Sequence, residues 1–239
     1  MPERTVVFRC DASIEMGIGH VARCLVLANS LRKRNLQCSF ICRSHQGNLL
    51  EYIENNGFAV TALPAAPSNE KHIKYEDQRL EYEKWLRTDW QSDAEQMLCV
   101  LDDCRPDWIV VDHYSLDWRW ESLIAPRCNK LMVIDDLADR KHICDLLLDQ
   151  NLVEGFNSRY ENLVPTNAPL LLGPAYVLLQ GDYLKLSTTP ARTYPVRRIM
   201  VYFGGADPDN LTALAIKSFL KLNREDLFLD VVISSSSTF

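Results

Sequence analysis

The chain has 239 residues, of which 47% are hydrophobic and 24% are charged, and its formal net charge is −6 at pH 7. These values are typical of a globular protein and give no basic footprint for nucleic acid. No apolar run reaches the roughly 18 residues that a membrane span requires. Met1–Arg4 leads straight into a strand and does not resemble a signal peptide, so we expect a cytoplasmic protein without nucleic-acid or membrane partners.

Short apolar runs bounded by turn residues alternate with helical patterns up to Leu148. The predicted strands are Val6–Arg9, Cys38–Cys42, Ala59–Leu63, Trp108–Asp112, Leu131–Ile134 and Asp145–Leu148. The predicted helices run from His20 to Arg34, from Leu49 to Asn56 and from about Glu76 to Asp103. This alternation predicts an α/β, Rossmann-like domain with a parallel sheet that is covered by helices on both faces.

The third predicted helix has two parts of different character. Its later part carries an apolar stripe at helical spacing, which consists of Leu86, Trp90, Ala94, Met97, Leu98 and Leu101. We expect this stripe to face the core. The residues from Glu70 to Trp85 are heavily charged, and we expect them to form a solvated helical face.

A second unit begins after a polar, proline-punctuated linker at residues 187–196. Its predicted elements are a strand at Arg198–Phe203, a loop at Gly204–Pro208, a helix at Asn210–Leu222 and a strand at Leu227–Ile233. Residues 197–239 form one βαβ unit, which is too small to bury both faces of a sheet. The chain is therefore divided into a first domain at residues 1–186, the linker, and the start of an incomplete second domain.

The eight cysteines stand at positions 10, 24, 38, 42, 99, 104, 128 and 144, with no C-x-x-C pair. Cys24, Cys38, Cys42 and Cys99 lie within apolar patterns, where a free thiol behaves as a small hydrophobic side chain. Since we expect the protein in the cytoplasm, the predicted state is reduced thiols that pack in the fold.

The most informative segment joins the first predicted strand to the first predicted helix and contains Gly17, Gly19 and His20. Glycines let the backbone approach a ligand closely, and a helix start favours an anionic substrate. The same helix dipole disfavours a protonated imidazole, so we expect His20 to be a neutral base. The alternative is that the loop binds nothing and that His20 only caps the helix.

Further candidates follow the ends of other predicted strands, where ligands bind in open α/β sheets. Tyr114 offers a hydroxyl and a ring face, whereas Asp112 either binds a ligand or caps a turn, and we expect His113 to pack beneath that turn. Asp135 and Asp136 point to different sides if both continue the strand. We therefore predict no metal ion and no other cofactor.

Three more residues at this edge are candidate substrate ligands, namely Arg9, Asp11 and Asn151. Asp11 lies close to the glycine loop and is a candidate to orient His20, as a carboxylate orients a catalytic imidazole. Arg9 pairs either with a substrate phosphate or with Asp11, and the sequence leaves both arrangements open.

Motifs along nearly the whole chain resemble those of the UDP-sugar hydrolases of pseudaminic acid biosynthesis. They are, in order, RCDASIEMGIGHVARCLVLA, VVDHYSLD, VIDDLADRKHICDLLLDQN, RYENLVP, LLLGPAYVLL and VYFGGADPDNLT. The resemblance implies a fold related to the two-domain GT-B glycosyltransferases. It also implies cleavage of a UDP-linked 2,4-diacetamido-2,4,6-trideoxy sugar with inversion, by water that His20 deprotonates.

The resemblance assigns further roles residue by residue. It places Tyr114 at the sugar, since this family carries a D-H-Y there, and it places the loop of Gly204, Gly205 and Asp207 at the nucleotide diphosphate. Asp207 can equally be a plain helix cap. Members of the family continue for about another half-domain, so we expect this chain to be truncated at its C-terminus. Two alternatives stay open: a GT-B glycosyltransferase, and an inactive remnant that binds sugar or a partner.

Overall fold

The structure is a computed structural model that describes residues 4–65, 82–102, 104–186, 195–204, 207 and 209–233. It contains two compact units, Met1–Gln180 and Gly181–Phe239. The boundaries at residues 186 and 196 stay predictions, because residues 187–194 of the predicted linker lie outside the described part of the chain.

The first unit is built on a seven-stranded sheet in the order β3-β2-β1-β4-β5-β6-β7, and every neighbouring pair is parallel. The strands are β1 (Thr5–Cys10), β2 (Gln37–Arg43), β3 (Ala59–Leu63), β4 (Trp108–Asp112), β5 (Lys130–Ile134), β6 (Leu146–Asp149) and β7 (Leu170–Leu172). The predicted parallel sheet is confirmed. The order reverses between β1 and β4, and this switch point is where α/β sheets form a ligand crevice.

The helices are α1 (Gly19–Arg32), α2 (Leu50–Asn55), α3 (Trp90–Leu101), α4 (Trp118–Ile124), α5 (Gly181–Leu186) and α6 (Leu211–Lys221). One continuous helix from about Glu76 to Asp103 was predicted, and this is wrong, because the described part of this segment contains two separate helices. A short 3-10 helix, Glu83–Leu86, ends at Arg87, whose φ of 57° is left-handed. Asp89 then caps a new helix by accepting a 2.8 Å hydrogen bond from the Ser92 N–H. Residues 66–81, with most of the charged segment, lie outside the described residues.

The core consists of two apolar layers, one on each face of the sheet. On one face, Phe8 and Phe40 stack with a ring-centroid distance of 4.9 Å beneath α1, whose Val21 and Ala28 are buried. The other face is covered by α3 and α4, and its buried side chains include Ile109, Val111, Met97, Trp120 and Ile124. Because successive strand residues point to opposite faces, helices on both faces require strands that are apolar throughout, such as residues 108–111 of β4.

The second unit contains the parallel pair β8 (Arg198–Val201) and β9 (Phe228–Val231), with α6 between them in sequence. The predicted strand–helix–strand order is confirmed, with shorter strands than predicted. Arg198 forms an exposed ion pair with Asp230 across the two strands. In neither unit do the described residues include a helix that is long and apolar enough to cross a membrane.

All eight cysteines are free thiols. Cys10, Cys24, Cys42, Cys128 and Cys144 are buried, as packing residues should be. The packing interpretation is wrong for Cys99 and Cys104, which are exposed. Cys99 follows Leu98 of the apolar stripe in sequence but lies on the solvent side of α3. Apolar neighbours in the sequence therefore did not indicate that this thiol is buried.

Candidate active site

The loop after β1 folds back on itself before α1 begins. The Gly17 N–H donates a 2.8 Å hydrogen bond to the Ser13 carbonyl, and the φ of Gly17 is +74°, a value that favours glycine. A Cβ added at Gly17 or at Gly19 would meet no atom within 4 Å. The N-cap of α1 is Ile18, which provides no side-chain cap. The start of α1 is therefore without a side-chain cap, and among the described residues there is open space beside Gly17 and Gly19.

His20 lies on the first turn of α1 with 4% of its surface exposed. Its Nδ1 is 2.6 Å from Oδ1 of Asp112, the last residue of β4. An ionised carboxylate only accepts hydrogen bonds, so Nδ1 carries a proton, and this tautomer leaves Nε2 as the ring nitrogen that can act as a base. The prediction that Asp11 orients His20 is wrong, because Asp112 holds this position.

Asp112 is buried and is held by a second residue of α1. Arg23 donates from Nε to Oδ2 and from Nη2 to Oδ1, both at 2.6 Å. Burial acts to raise the pKa of Asp112, but its interactions with His20 and Arg23 outweigh burial and lower that pKa. Asp112 is thus a stable anion beside the imidazole. Arg23 is absent from the predicted site residues, although its i+3 spacing from His20 places both on one face of α1.

Tyr114 meets both His20 and the loop after β5. Its ring lies edge-on to the His20 ring with centroids 4.5 Å apart. Its hydroxyl donates a 2.5 Å hydrogen bond to Asp136, which also accepts from Arg23 Nη1 at 2.7 Å. Burial and the contact with Asp136 raise the pKa of Tyr114. His20 and Tyr114 therefore share one site, where the hydroxyl is engaged by protein and the ring forms part of the wall.

Trp85 extends this aromatic wall. Its ring is stacked on Tyr114 with centroids 5.7 Å apart and lies 6.5 Å from the His20 ring. Trp85 belongs to the segment that was predicted to be a solvated helical face, which is why it was not among the candidates. A cavity of about 250 Å³ opens beside it, and its lining comprises Ser13, Ile14, Glu15, Ser44, His45, Gln46, Ala65, Trp85 and Arg87.

Asp135 and Asp136 have different surroundings, although both follow the end of β5 at Ile134 and do not continue the strand. Asp135 is fully buried and pairs with Arg140 at 2.8 Å, and it also accepts from the Tyr160 hydroxyl at 3.0 Å. Asp136 instead faces Tyr114 and the site. Within the described ranges, no group of three or more His, Cys, Asp or Glu side chains has the arrangement of a metal site.

Arg9 and Asp11 lie beneath the site, and both are 0% exposed. Arg9 donates a 2.6 Å hydrogen bond to Asp11. Of the two predicted partners of Arg9, a substrate phosphate and Asp11, the structure therefore shows Asp11. Arg9 also pairs with Asp93 of α3 at 2.7 Å, and His113 Nε2 lies 3.2 Å from Asp11. This complete burial argues against direct contact with a substrate, and we assign both residues to supporting the strand end.

Asn151 is exposed in the turn after β6, where its N–H donates a 2.9 Å hydrogen bond to Asp149. It lies at the same edge of the sheet as His20, but its described contact is with Asp149 and not with the His20 cluster.

Among the predicted nucleotide contacts, Gly204 has a φ of +79°, and Gly205 lies outside the described residues. Asp207 accepts from the N–H groups of Leu211 at 2.8 Å and Thr212 at 3.0 Å. Asp207 therefore supports the start of α6 together with Asn210, the N-cap residue, and a role of Asp207 in nucleotide binding stays a prediction.

No protein-family model matches the sequence. The chain is 26% identical over 234 residues to the UDP-2,4-diacetamido-2,4,6-trideoxy-beta-L-altropyranose hydrolase of Campylobacter jejuni, and the match spans 97% of the chain and 70% of that protein. It is 24% identical over 227 residues to an uncharacterized protein of Methanocaldococcus jannaschii; the match covers 93% of the chain but 41% of that protein, less than half of its length.

Among solved structures, MurG of Acinetobacter baumannii is similar to the chain with a TM-score of 0.54 at 8% identity, over 98% of the chain and 69% of MurG. At this identity the similarity concerns the fold alone. The predicted GT-B-like α/β fold and the predicted family resemblance are both confirmed.

Proposed function

We propose that this relative of the UDP-2,4-diacetamido-2,4,6-trideoxy-beta-L-altropyranose hydrolase is itself a hydrolase of a UDP-linked 2,4-diacetamido-2,4,6-trideoxy sugar, which it converts to free sugar and UDP in pseudaminic acid biosynthesis. The observation that carries the proposal is the pair of His20 and Asp112, 2.6 Å apart at the uncapped start of α1. A base fixed in one tautomer beside an anion-favouring helix start suits hydrolysis at a diphosphate-linked carbon.

The proposed reaction is a single displacement. His20 Nε2 takes a proton from water while the water oxygen forms a bond to the anomeric carbon. The bond from that carbon to the diphosphate oxygen breaks, and its electron pair leaves with UDP, so the configuration is inverted. Asp112 stabilises the imidazolium that forms on His20, as a buried carboxylate does for other catalytic histidines.

A diphosphate is already a good leaving group, so one base is sufficient, whereas ordinary glycosidases flank the bond with two carboxylates. Asp136 does not supply a second, free carboxylate, because Arg23 and Tyr114 occupy its oxygens. Asp112 is likewise occupied by His20 and Arg23. The described carboxylates of the site therefore support a mechanism in which one base activates water and UDP leaves as an anion. They do not support a mechanism in which two carboxylates act as an acid and a base.

Substrate contacts follow from the same geometry. Gly17 and Gly19 leave room for a phosphate to approach the start of α1, where the helix dipole attracts negative charge. The rings of Tyr114 and Trp85 offer an apolar wall for the sugar next to His20. Asn151 is a further proposed sugar contact, and Gly204, Gly205 and Asp207 are proposed nucleotide contacts.

The position of an ¹⁸O label tests the proposal. The protein is incubated with the UDP-sugar in ¹⁸O-water, and both products are analysed by mass spectrometry. We expect label on the anomeric oxygen of the sugar and none on UDP. Label on UDP would mean attack at phosphorus and would refute the reaction. Turnover that requires an added sugar or alcohol acceptor would assign the site to a glycosyltransferase, in which His20 activates a hydroxyl instead of water.

A further inference from the structure

Arg23 connects two carboxylates that hold opposite sides of the site. Its Nε and Nη2 bind the two oxygens of Asp112, and its Nη1 binds Asp136, at distances of 2.6 to 2.7 Å. Asp112 in turn holds His20, and Asp136 holds the hydroxyl of Tyr114. A single guanidinium therefore links the ring that bears the proposed base to the ring that forms its wall.

We propose that Arg23 is a positioning residue for this site, which keeps His20 and Tyr114 in a fixed arrangement and keeps Nε2 of His20 free to accept a proton. The catalytic part of this inference rests on the proposed function. Arg23 is suited to the role because its planar fork binds two carboxylates at once, which the single ammonium of a lysine does not reproduce. Its side chain is 11% exposed, so its charge is poorly screened by water.

The balance of charge gives the second reason. The groups that face Arg23 are His20, Asp112, Asp136 and, through Asp136, Tyr114, with Cys24 Sγ at 3.6 Å from Asp112. Two carboxylates in this cluster are matched by one permanent cation. Without Arg23, the charge of Asp112 is balanced by His20 alone, and this favours the doubly protonated ring, which has no lone pair with which to act as a base.

The first test reads the protonation of His20 directly and needs no substrate. Long-range ¹H–¹⁵N spectra of the protein at pH 7.5 distinguish a ring with one proton from a ring with two, and the His20 signals are assigned by their loss in His20→Asn. We expect Nδ1–H and a bare Nε2 in the wild type, and two protons in Arg23→Gln. The matched control is Arg32→Gln on the same helix, whose side chain is exposed and bonds Asn29 and Asn56; it should leave the His20 signals unchanged.

The second test is kinetic. We expect Arg23→Gln to lower kcat about 10²-fold, with KM changed only a few-fold, since misplacing a catalytic group by about 1 Å has effects of this size. Arg23→Lys keeps one cation near Asp112, so it should retain the wild-type His20 spectrum with an intermediate kcat. Wild-type spectra or wild-type kcat in Arg23→Gln would overturn the inference. If that variant does not fold, an unchanged kcat in Arg23→Lys would overturn it.

The two tests separate this inference from the proposed function. Absence of UDP-sugar hydrolysis by the wild type would refute the proposed function while the spectra still decide whether Arg23 sets the protonation of His20. An unchanged His20 spectrum in Arg23→Gln, in an active enzyme, would refute the role of Arg23 alone.

Discussion

Two clusters of arginine and aspartate side chains lie near the carboxyl ends of β1 and β4, and each also contains an aromatic residue. The rim cluster consists of His20, Arg23, Asp112, Tyr114 and Asp136, and the interior cluster consists of Arg9, Asp11, Arg43, Asp93 and Trp120. In the interior cluster, the four charged side chains are at most 1% exposed and bond to one another. In the rim cluster, the described hydrogen bonds of His20 involve Nδ1, which lies 2.6 Å from Asp112.

This difference indicates which cluster acts on a ligand. Charged groups that are buried and pair with one another can fix a fold, but they are not accessible to a ligand. A cluster that fixes one nitrogen of an imidazole and leaves the other free has the arrangement of a general base. The comparison predicts that changes at the rim affect turnover and that changes in the interior affect stability.

The largest effect should come from His20→Asn. Asparagine keeps a polar group near Asp112 but cannot accept the proton, and loss of general-base help typically costs 10²- to 10⁴-fold in rate. We expect kcat for UDP release to fall by about that factor, with folding and substrate binding nearly unchanged. Steady-state kinetics and thermal unfolding measure both. Substantial turnover by the variant at saturating substrate would remove His20 from the proposed role.

The interior cluster should show the reverse pattern in Asp93→Asn. Asp93 accepts from Arg9 at 2.7 Å, Arg43 at 2.5 Å and Trp120 at 2.9 Å, so the change leaves two buried guanidinium groups without a full partner. Removing one partner of a buried ion pair typically costs about 3–5 kcal/mol. Urea denaturation should show a loss of this size. The control Asp226→Asn, whose ion pair with Arg224 is exposed, should change the free energy of unfolding little, and equal losses in both variants would contradict the comparison.

Acid should act on both clusters through their carboxylates. Burial opposes ionisation of Asp11, Asp93 and Asp112, but Arg9 lowers the pKa of the first two, and His20 with Arg23 lowers that of Asp112. A lowered pKa stabilises the fold above the ordinary carboxyl value near pH 4, and this contribution is lost as the pH falls through the folded-state pKa. We expect the free energy of unfolding to decrease steadily below about pH 4. A constant or rising value between pH 5 and pH 3 would be inconsistent with this.

Tyr114→Phe should have the smallest effect. The ring that contacts His20 remains, Asp136 keeps its bond to Arg23, and one hydrogen bond to a charged group is lost. We expect a loss of stability of about 1–3 kcal/mol and a fall in kcat of less than tenfold. A loss of kcat as large as that of His20→Asn would show that the hydroxyl itself touches the reacting atoms.

Much of the sheet was predictable because its signals are local. Ala59–Leu63 and Trp108–Asp112 have the predicted bounds, since an apolar run ended by turn residues defines a buried strand. β7 has three residues and α4 has about two turns, so both are too short to show a hydrophobic periodicity in the sequence. The break between Leu86 and Trp90 depends on a left-handed Arg87 and an Asp89 cap inside a helical pattern, which the apolar stripe conceals.

The site was predictable where it follows from topology and not where it depends on distant partners. His20 and Tyr114 follow β1 and β4, which are neighbours at the switch point, and they are in contact. Arg9 and Asp11 precede the glycine loop in sequence, but both are buried in the interior cluster. Arg9 bonds there to Asp93, which lies 84 residues away along the chain, so the sequence does not indicate this contact. The partner of His20 was wrongly predicted for the same reason, since Asp112 lies 92 residues away.

The configuration of the released sugar shows whether UDP is displaced directly by water. We propose that water activated by His20 displaces UDP in one step, so the first-formed sugar must have the opposite anomeric configuration to that of the substrate. Proton NMR of the anomeric region, recorded in the first minutes after mixing and before mutarotation, measures this. We expect an initially pure inverted anomer. A first-formed sugar with retained configuration would contradict this expectation, because retention requires a covalent sugar–enzyme intermediate, whereas the described carboxylates beside His20, Asp112 and Asp136, are both engaged by protein partners.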